Sequence, residues 1–580
     1  MSIIMGVWSG IDAGACLVKN GDVICGISEE RLARVKHYSG FPEKSINYVL
    51  KSSNVLPEEV SAIVITNRIY LKYLKRMFQR NKMKYAVESL FLKFWRRQKI
   101  LGKYYPIGSY KKNIRTEESL NKKINEMGIN ASICIYDHHL IHAMYGYYLS
   151  GYDNAISISL DGEGNGLSGM VVAINKGKCE VIQEIGIHGL SMGLFYGCVT
   201  EGLGFKPHDG EGKTMGLAPF GKLNDDLLED IERIAPKVIN GEFRANHNLE
   251  YLTAVSNEGI PRAFFRDSYY VRALVHKYGK ENVAATAQHL LEERVCSLIK
   301  GIINNRYYSK NLILNGGVAL NVSNNCNIWR KFRFEKLYIP PAPGDMGLPM
   351  ALALHHAEQI KKRKHGKLKS PYNGREYSEI DILKYFKEFA DRLVIKKSDN
   401  ICLETAKLLI DQKIVGWFHG KSEWGNRALG ARSVLADPRT IVSKERINKY
   451  LKERDWFMPF APSVLAERCE DIFENYCEAR FMNHKFYVKE NWKDKIPAVV
   501  HIDGSARPHT VSISDNPYFY KTIKEFCNLT DVPLVLNTSF NKHGLPIVET
   551  PKDAFEHLIW NCVDVLVLGS FTVTKKEALE

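Results

Sequence analysis

"SICIYDHHLIHAMYGYYLSGYDNAISISLDGEGNG", residues 132–166, decides how this chain is read. Residues 132–136 suit a strand, and Asp137 opens a helix-length apolar and aromatic stretch. From 155 to 160 small polar and apolar residues alternate as in a half-buried strand, which runs into a glycine-rich turn. The same grammar recurs at "NLILNGGVALNVSNNCNIW" (311–329) and "LYIPPAPGDMGLPMALALHHAEQI" (337–360), where a strand leads through a Gly or Pro loop into a helix. At the start, residues 3–7 and 23–27 read as strands, with Asn20-Gly21 as a two-residue hairpin turn before the second. "AIVITNR" (62–68) is one more strand. Such alternation predicts a mixed α/β class, with ligands at strand ends and helix N-termini.

The chain has 580 residues, more than one core accommodates, so at least two domains are expected. Residues 361–378, "KKRKHGKLKSPYNGREYS", are charged and turn-rich without apolar periodicity and mark a linker between 1–360 and 379–580. No internal repeat is strong enough to read. No apolar run approaches a membrane span, and no secretion signal opens the sequence. Twelve scattered cysteines without a Cys-x-x-Cys pair argue against a zinc ribbon and fit a reducing cytoplasm. The net charge of +15 is concentrated, because residues 68–123 hold 17 Lys and Arg against 3 Asp and Glu. Aromatics interleave with these cations, so a helical excursion with a solvated basic face and a surface for an anionic membrane or acidic acceptor both remain open. A nucleic-acid partner is not expected, since no recognised module accompanies the charge.

Several motifs carry chemistry. His138 and His142 stand one helical turn apart, a bidentate metal grip, while His139 points elsewhere as a ligand, base or donor. Asp161 in "SISLDGEGNG" and Asp345 in "PAPGDMG" follow strands in glycine-flanked loops. Two histidines and two aspartates suit iron, manganese or zinc, although each carboxylate alone reads equally as a turn residue. "DGEGKTMGLAPFG" (209–221) offers Lys213 beside exposed amides, and "LNGGVALN" (314–321) offers Gly316 and Gly317 for close backbone approach by a nucleotide. "GKSEWGNRALGARSVLADPR" (420–439) and the stretch 447–464 set Arg427, Arg432, Arg439, Lys452 and Arg454 among small residues, either as an oxyanion pocket or as structural ion pairs. Arg507, Asn537, Thr538, Ser539 and Asn541 add polar groups near a final strand.

In this order these motifs, with "EERLARVKH" (29–37) and "FAPSV" (460–464), resemble the O-carbamoyltransferase family of nodulation and antibiotic biosynthesis, from residue 9 to about 570. The resemblance implies an N-terminal actin/sugar-kinase-like (ASKHA) domain over 1–360, like tRNA threonylcarbamoyl transferases, with a basic insertion at about 68–130. A YrdC-like α/β domain over 379–580 would follow. The second domain would make carbamoyl-adenylate from ATP and carbamoyl phosphate at Arg427, Lys452, Arg507, Asn537 and Ser539. The first would hold the adenylate with Lys213, Gly316, Gly317 and Asn321, and a divalent metal, Fe(II) ahead of Mn or Zn, with His138, His142, Asp161 and Asp345. The carbamoyl group would pass to a hydroxyl of a natural product, sugar or surface glycan, in the cytoplasm, by a monomer or homodimer. A tRNA-modifying enzyme and a non-catalytic binding protein are the alternatives.

Two positions depart from the family pattern. Ile11 stands before Asp12 where members commonly carry His, a base for the acceptor hydroxyl, and Met458 stands where Arg is common. Either the base moves, with His139 the favoured replacement, or an acidic acceptor needs less help, or activity is reduced or altered; Asp12 would orient a neighbour and Lys213 would lie beside the adenylate.

Overall fold

The computed structural model describes residues 2–66, 120–187 and 189–576, apart from 248, 250, 256–260, 305–308, 362–365 and 454. Most of the basic segment 68–123, and with it the expected membrane or acidic-acceptor surface, lies outside the described residues.

The opening strand β1 (Ile3–Trp8) is buried throughout its first five residues and forms the centre of a five-stranded sheet. It pairs antiparallel with β2 (Gly14–Lys19), which pairs antiparallel with β3 (Asp22–Ser28) across the Asn20-Gly21 turn. On its other side lies β4 (Val60–Thr66), parallel, and then β5 (Ser132–Tyr136), also parallel. Between β3 and β4 run the short α1 (Glu29–Ala33) and α2 (Glu43–Ser52).

A second five-stranded sheet repeats this order. Its meander is β6 (Ala155–Gly164), β7 (Leu167–Asn175) and β8 (Lys178–Gly186), all antiparallel. β9 (Asn311–Asn315) joins β6 in parallel, and β10 (Lys336–Tyr338) joins β9 in parallel. Each sheet therefore reads third, second, first, fourth, fifth strand from one edge to the other. Parallel neighbours require crossovers, which bury strands on both faces. Between the two sheets lie α3 (His138–Ser150) and, after β10, a helix over Leu348–Lys361. Met144, Tyr145, Leu352 and Ala353 of these helices join Ile4 and Val64 of one sheet and Met170 and Ile313 of the other in one buried cluster. Tyr145 and Leu352 are each at most 1% exposed, and burying a large apolar side chain stabilises by roughly 1.5–3 kcal/mol. The outer face of the second sheet packs on α4 (Met192–Gly202), α5 (Glu211–Leu217) and α6 (Lys280–Asn304). α7 (Val322–Lys331) follows β9, which makes the Leu348–Lys361 helix α8.

The second half is built on an eight-stranded mixed sheet. Its strands are β11 (Leu393–Lys397), β12 (Val415–Phe418), β13 (Arg432–Ala436), β14 (Ala461–Leu465), β15 (His509–Val511), β16 (Leu534–Ser539), β17 (Val565–Leu568) and β18 (Phe571–Lys575). They lie in the order β11-β18-β17-β12-β13-β16-β14-β15. The described residues of the 361–378 segment lie against both halves: the Leu368 amide donates to Leu149, the Gly26 amide to Asn373, and the Gly374 amide to Ser422.

The halves also meet through a buried charge network. Arg31 of α1, 2% exposed, lies 3.6 Å from Glu423 and 3.7 Å from Glu549, both 0% exposed in their side chains. It donates to the Gly425 carbonyl at 2.9 Å, and Tyr48 of α2 donates to Glu549 at 2.8 Å. Burial raises the Glu549 carboxyl, against the lowering pull of Arg432 and Arg31. Among the described residues no helix is long and apolar enough to cross a membrane.

Candidate functional site

α3 begins at Asp137, whose carboxylate accepts the amides of His139 and Leu140 at 3.1 Å each. This cap is what sequence patterning expects of Asp before an apolar run, and it fixes where the helix starts. His138 and His142 therefore share one face, with ring centroids 4.6 Å apart. Asp161, inside β6 where its register with β7 is broken, and Asp345, in the loop after β10, converge on them. His142 Nε2 lies 3.0 Å from Asp345 Oδ1 and 3.4 Å from Asp161 Oδ2, and His138 Nε2 lies 3.6 Å from Asp345 Oδ1. Ligand atoms of all four fall within 4.8 Å of one another.

The set fits a divalent ion on three grounds. His138 Nε2 and Asp161 Oδ2 are buried with no hydrogen-bond partner, and such groups otherwise cost desolvation energy. Burial, with His142 and His139 nearby, holds the His138 imidazole well below its ordinary range, in the neutral form that ligates. Glycine keeps the surroundings open: a Cβ at Gly317 would stand 2.9 Å from Asp161 Oδ1, and one at Gly164 would strike the His138 ring at 2.1 Å. Gly316 has φ +80°, and a Cβ there would meet the Leu160 carbonyl at 2.2 Å. Burial raises the Asp345 carboxyl, with the Asp161 charge adding to the effect and the His142 hydrogen bond opposing it.

His139 is placed differently. It is 0% exposed, and its Nε2 donates to the Leu167 carbonyl at 2.9 Å. Burial and the neighbouring His142 push its pKa down to about 4. The ring is enclosed by protein, so the structure does not present it to an acceptor hydroxyl as the sequence reading expected.

A second polar cluster forms around a histidine that sequence reasoning did not single out. His37, the last residue of "EERLARVKH", donates through Nδ1 to Asp12 Oδ1 at 2.8 Å, and its Nε2 lies 3.2 Å from Asp209 Oδ1. Lys36 Nζ also binds Asp209, and the His37 amide donates to Glu30 at 2.9 Å. Burial would lower the His37 pKa, but the Asp12 charge, the hydrogen bonds to Asp12 and Asp209, and Glu30 outweigh it and raise it to about 10. Burial would likewise raise Asp209, yet His37 and Lys36 hold its carboxyl well below the usual range. Asp12 (φ 61°), His37 (φ 55°) and His208 (φ 67°) all adopt the left-handed conformation, a concentration of strain typical of functional sites. Asp12, Glu30 and His37 also lie close enough to hold a cation, and hydrogen bonds join His37 to both carboxylates. The two groups adjoin: the Trp8 ring lies 5.4 Å from His138, and Trp8 Nε1 donates to the Ile11 carbonyl at 2.7 Å.

Lys213 projects from α5, one turn beyond Asp209, and lies 2.9 Å from Asp455 of the second half. The Asn321 side chain is committed to capping α7 and to α6, accepting the Asn324 amide at 2.9 Å and pairing with Gln288 of α6 at 3.0 and 2.9 Å.

In the second half, β16 organises the predicted residues. Asn537 donates to the Ala428 carbonyl at 3.0 Å, which ties down the loop that carries half-buried Arg427. Lys452, 1% exposed, donates to the carbonyl and hydroxyl of Ser539 at 2.6 and 2.9 Å and to Asn541 O and Oδ1 at 3.0 and 2.8 Å. Arg507 is half-buried just beyond a short strand at Ser505–Ala506. Two other arginines of this stretch are structural, and Arg454 lies outside the described residues. Arg432 is 0% exposed, packs 3.6 Å over the Phe418 ring and donates to the Gly420 carbonyl, while Arg439 forks onto Asp437. Met458 packs at the interface, its sulfur 3.3 Å from where a Gly216 Cβ would stand.

The family model described as carbamoyltransferase N-terminus matches residues 4–354, and that described as carbamoyltransferase C-terminus matches residues 406–575. The chain belongs to the carbamoyltransferase family. Nodulation protein NolNO of Sinorhizobium fredii is 30% identical over 98% of this chain and 79% of its own length. Nodulation protein NolO of Bradyrhizobium diazoefficiens is 31% identical over 76% of this chain and 79% of its own. An uncharacterised protein of Methanocaldococcus jannaschii is 32% identical over 96% of both chains. The crystal structure of T. kodakarensis HypF aligns with a TM-score of 0.30 and 13% identity over 63% of this chain and 49% of that one, too slight a likeness to carry the fold. This carbamoyltransferase is an enzyme whose two family-matched regions each contain one of the polar clusters described above.

Proposed function

We propose that this carbamoyltransferase works in two steps at two sites. In the second half, carbamoyl phosphate gives up its phosphate to water, and the resulting carbamate attacks the α-phosphorus of ATP. Pyrophosphate leaves and carbamoyl-adenylate remains. In the first half, an acceptor hydroxyl attacks the carbamoyl carbon and AMP departs. The acceptor is a hydroxyl of a natural product, sugar or surface glycan. The repeated strand order of the first half supports an actin/sugar-kinase-like reading, and the mixed sheet of the second half supports a YrdC-like one.

Arg427, Lys452 and Arg507, with Asn537 and Ser539, offset the repulsion between two phosphorylated substrates. Lys213 and the backbone at Gly316 and Gly317 receive the adenylate, with Asn321 shaping the helix beneath. His138, His142, Asp161 and Asp345 hold a divalent metal, Fe(II) ahead of Mn or Zn, which when bound neutralises phosphate charge and improves AMP as a leaving group. Asp209, kept ionised by Lys36 and His37, accepts a hydrogen bond from the acceptor hydroxyl and aims it at the carbamoyl carbon, and the proton leaves with the phosphate of AMP as the new C–O bond forms. Asp12 keeps the His37 imidazolium in place, and Ile11 takes no part. The observation that supports this reading is that the His–Asp set and the Asp12–His37–Asp209 chain adjoin through Trp8, whose ring lies 5.4 Å from His138 and whose Nε1 donates to the Ile11 carbonyl.

The test separates the steps. Wild type is expected to release pyrophosphate from ATP only when carbamoyl phosphate is present, and Lys452→Ala to abolish this. Asp209→Asn is expected to keep pyrophosphate release while transfer to an acceptor found by mass spectrometry drops by up to about 10²-fold, the cost of losing orientation of the hydroxyl. Wild type without carbamoyl phosphate-dependent pyrophosphate release would overturn the reading.

A further inference from the structure

One short segment touches both candidate sites. Lys452, caged by Ser539 and Asn541, closes a π-helical turn over Asn448–Lys452. Glu453 then turns the chain through the left-handed region at φ 43°. π-Turns and non-glycine residues at positive φ are both costly and concentrate at functional hinges. Three residues beyond Lys452, Asp455 reaches the first half and lies 2.9 Å from Lys213. Trp456 sets its ring 4.7 Å from Phe220 yet stays 66% exposed, and Phe457 packs 6.2 Å from Phe205. The Lys213 ammonium also faces the Phe205 ring at 5.5 Å.

We propose that Asp455 is a built-in occupant of the Lys213 ammonium: its carboxylate stands where the anionic group of the nucleotide intermediate binds, and it gives way when that group arrives. This rests on the reading of Lys213 as an adenylate ligand. A carboxylate beside an incoming phosphate is repelled, so the ion pair must open for the site to fill. Asp455 shares its segment with Lys452, so opening the pair tugs on the cage of the second site and reports there that the first is loaded. Met458 supports this role: at the position where an arginine was expected, this chain has an apolar contact on Gly216 that anchors the far end of the segment. Asp455 is thus a positioning residue, acting on substrate through Lys213.

AMP binding to the full-length chain tests the proposal, with the first-half site identified as the AMP binding that Lys213→Ala removes. Asp455→Asn is expected to tighten that binding about 2- to 5-fold, the range a half-exposed ion pair supports, and Asp455→Glu to restore the wild-type affinity. In wild type, AMP should change the part of the tryptophan fluorescence that Trp456→Phe abolishes, and this change should be absent in Asp455→Asn. A purely structural ion pair predicts the reverse, so unchanged or weaker Lys213-dependent affinity in Asp455→Asn overturns the proposal alone. If Lys213→Ala binds AMP as wild type does, the adenylate reading of Lys213 fails and takes the proposal with it.

Discussion

Asp12 and Asp161 belong to matching places in two sheets of one strand order, each just beyond or at the end of the central meander strand. Their surroundings differ. Asp12 accepts from an imidazole raised to about 10, in a group that is hydrogen-bonded on to Asp209 and Lys36. Asp161 faces His138, held neutral, and His142, with ligand atoms left unpartnered. Topology placed both carboxylates, but their chemistry comes from partners supplied elsewhere in the chain: His37 by the turn after α1, and His138 and His142 by the first turn and a half of α3.

The largest expected effect falls on the Asp161 side. His142→Ala should leave carbamoyl phosphate-dependent pyrophosphate release near the wild-type rate and lower carbamoyl transfer by more than about 100-fold, since even loss of a residue that merely supports a metal ligand costs 10- to 100-fold. Equal loss of both half-reactions would show that the sites are not divided in this way.

The Asp12 side, in contrast, is braced by the second half. Arg31 neighbours Glu30 on α1, and Arg31→Ala removes one of the cations from the buried network that holds Glu423 and Glu549. Removing one partner of a buried charge network costs about 3–5 kcal/mol, so the chemical-denaturation midpoint should fall accordingly. An unshifted midpoint would show that this contact does not brace the site.

A smaller effect separates the groups by pH. The folded-state pKa of His37 lies above its unfolded value, so the stability it contributes is fully present below about pH 6.5 and is lost as pH rises towards about 10. Wild type should lose stability across that window, and His37→Gln should flatten the loss. An identical pH dependence in both would remove the imidazolium from the account. The smallest effect belongs to Ile11→His, which should change the transfer rate by less than about threefold, because Asp209 already orients the hydroxyl and the proton leaves with AMP. A tenfold gain would restore the case for a missing base at Ile11.

Parts of this were legible in the sequence, for reasons that differ by residue. His138 and His142 could be paired because one helical turn separates them and Asp137 announces the cap. The hairpin at Asn20-Gly21 and the strand-to-helix loops at Gly316 and Asp345 follow local rules that propensity captures. His37 was missed because its partners lie 25 and 172 residues away, and its left-handed backbone leaves no mark on residue type. The repeated sheet was invisible because the two meanders share topology and not residues. Among the cations of the second half, pattern could not separate Lys452, gathered with Ser539 and Asn541, from Arg432 and Arg439, which are spent on Phe418 and Asp437. The difference lies in which strand faces which loop.

Metal content tests the comparison most directly. Purified wild type, Asp12→Asn and Asp161→Asn, each reconstituted with Fe(II), Mn(II) or Zn(II) and desalted, should be compared by elemental analysis. The account predicts about one bound ion per chain in wild type and Asp12→Asn, and a large loss in Asp161→Asn. Full retention in Asp161→Asn, or loss in Asp12→Asn alone, would contradict it.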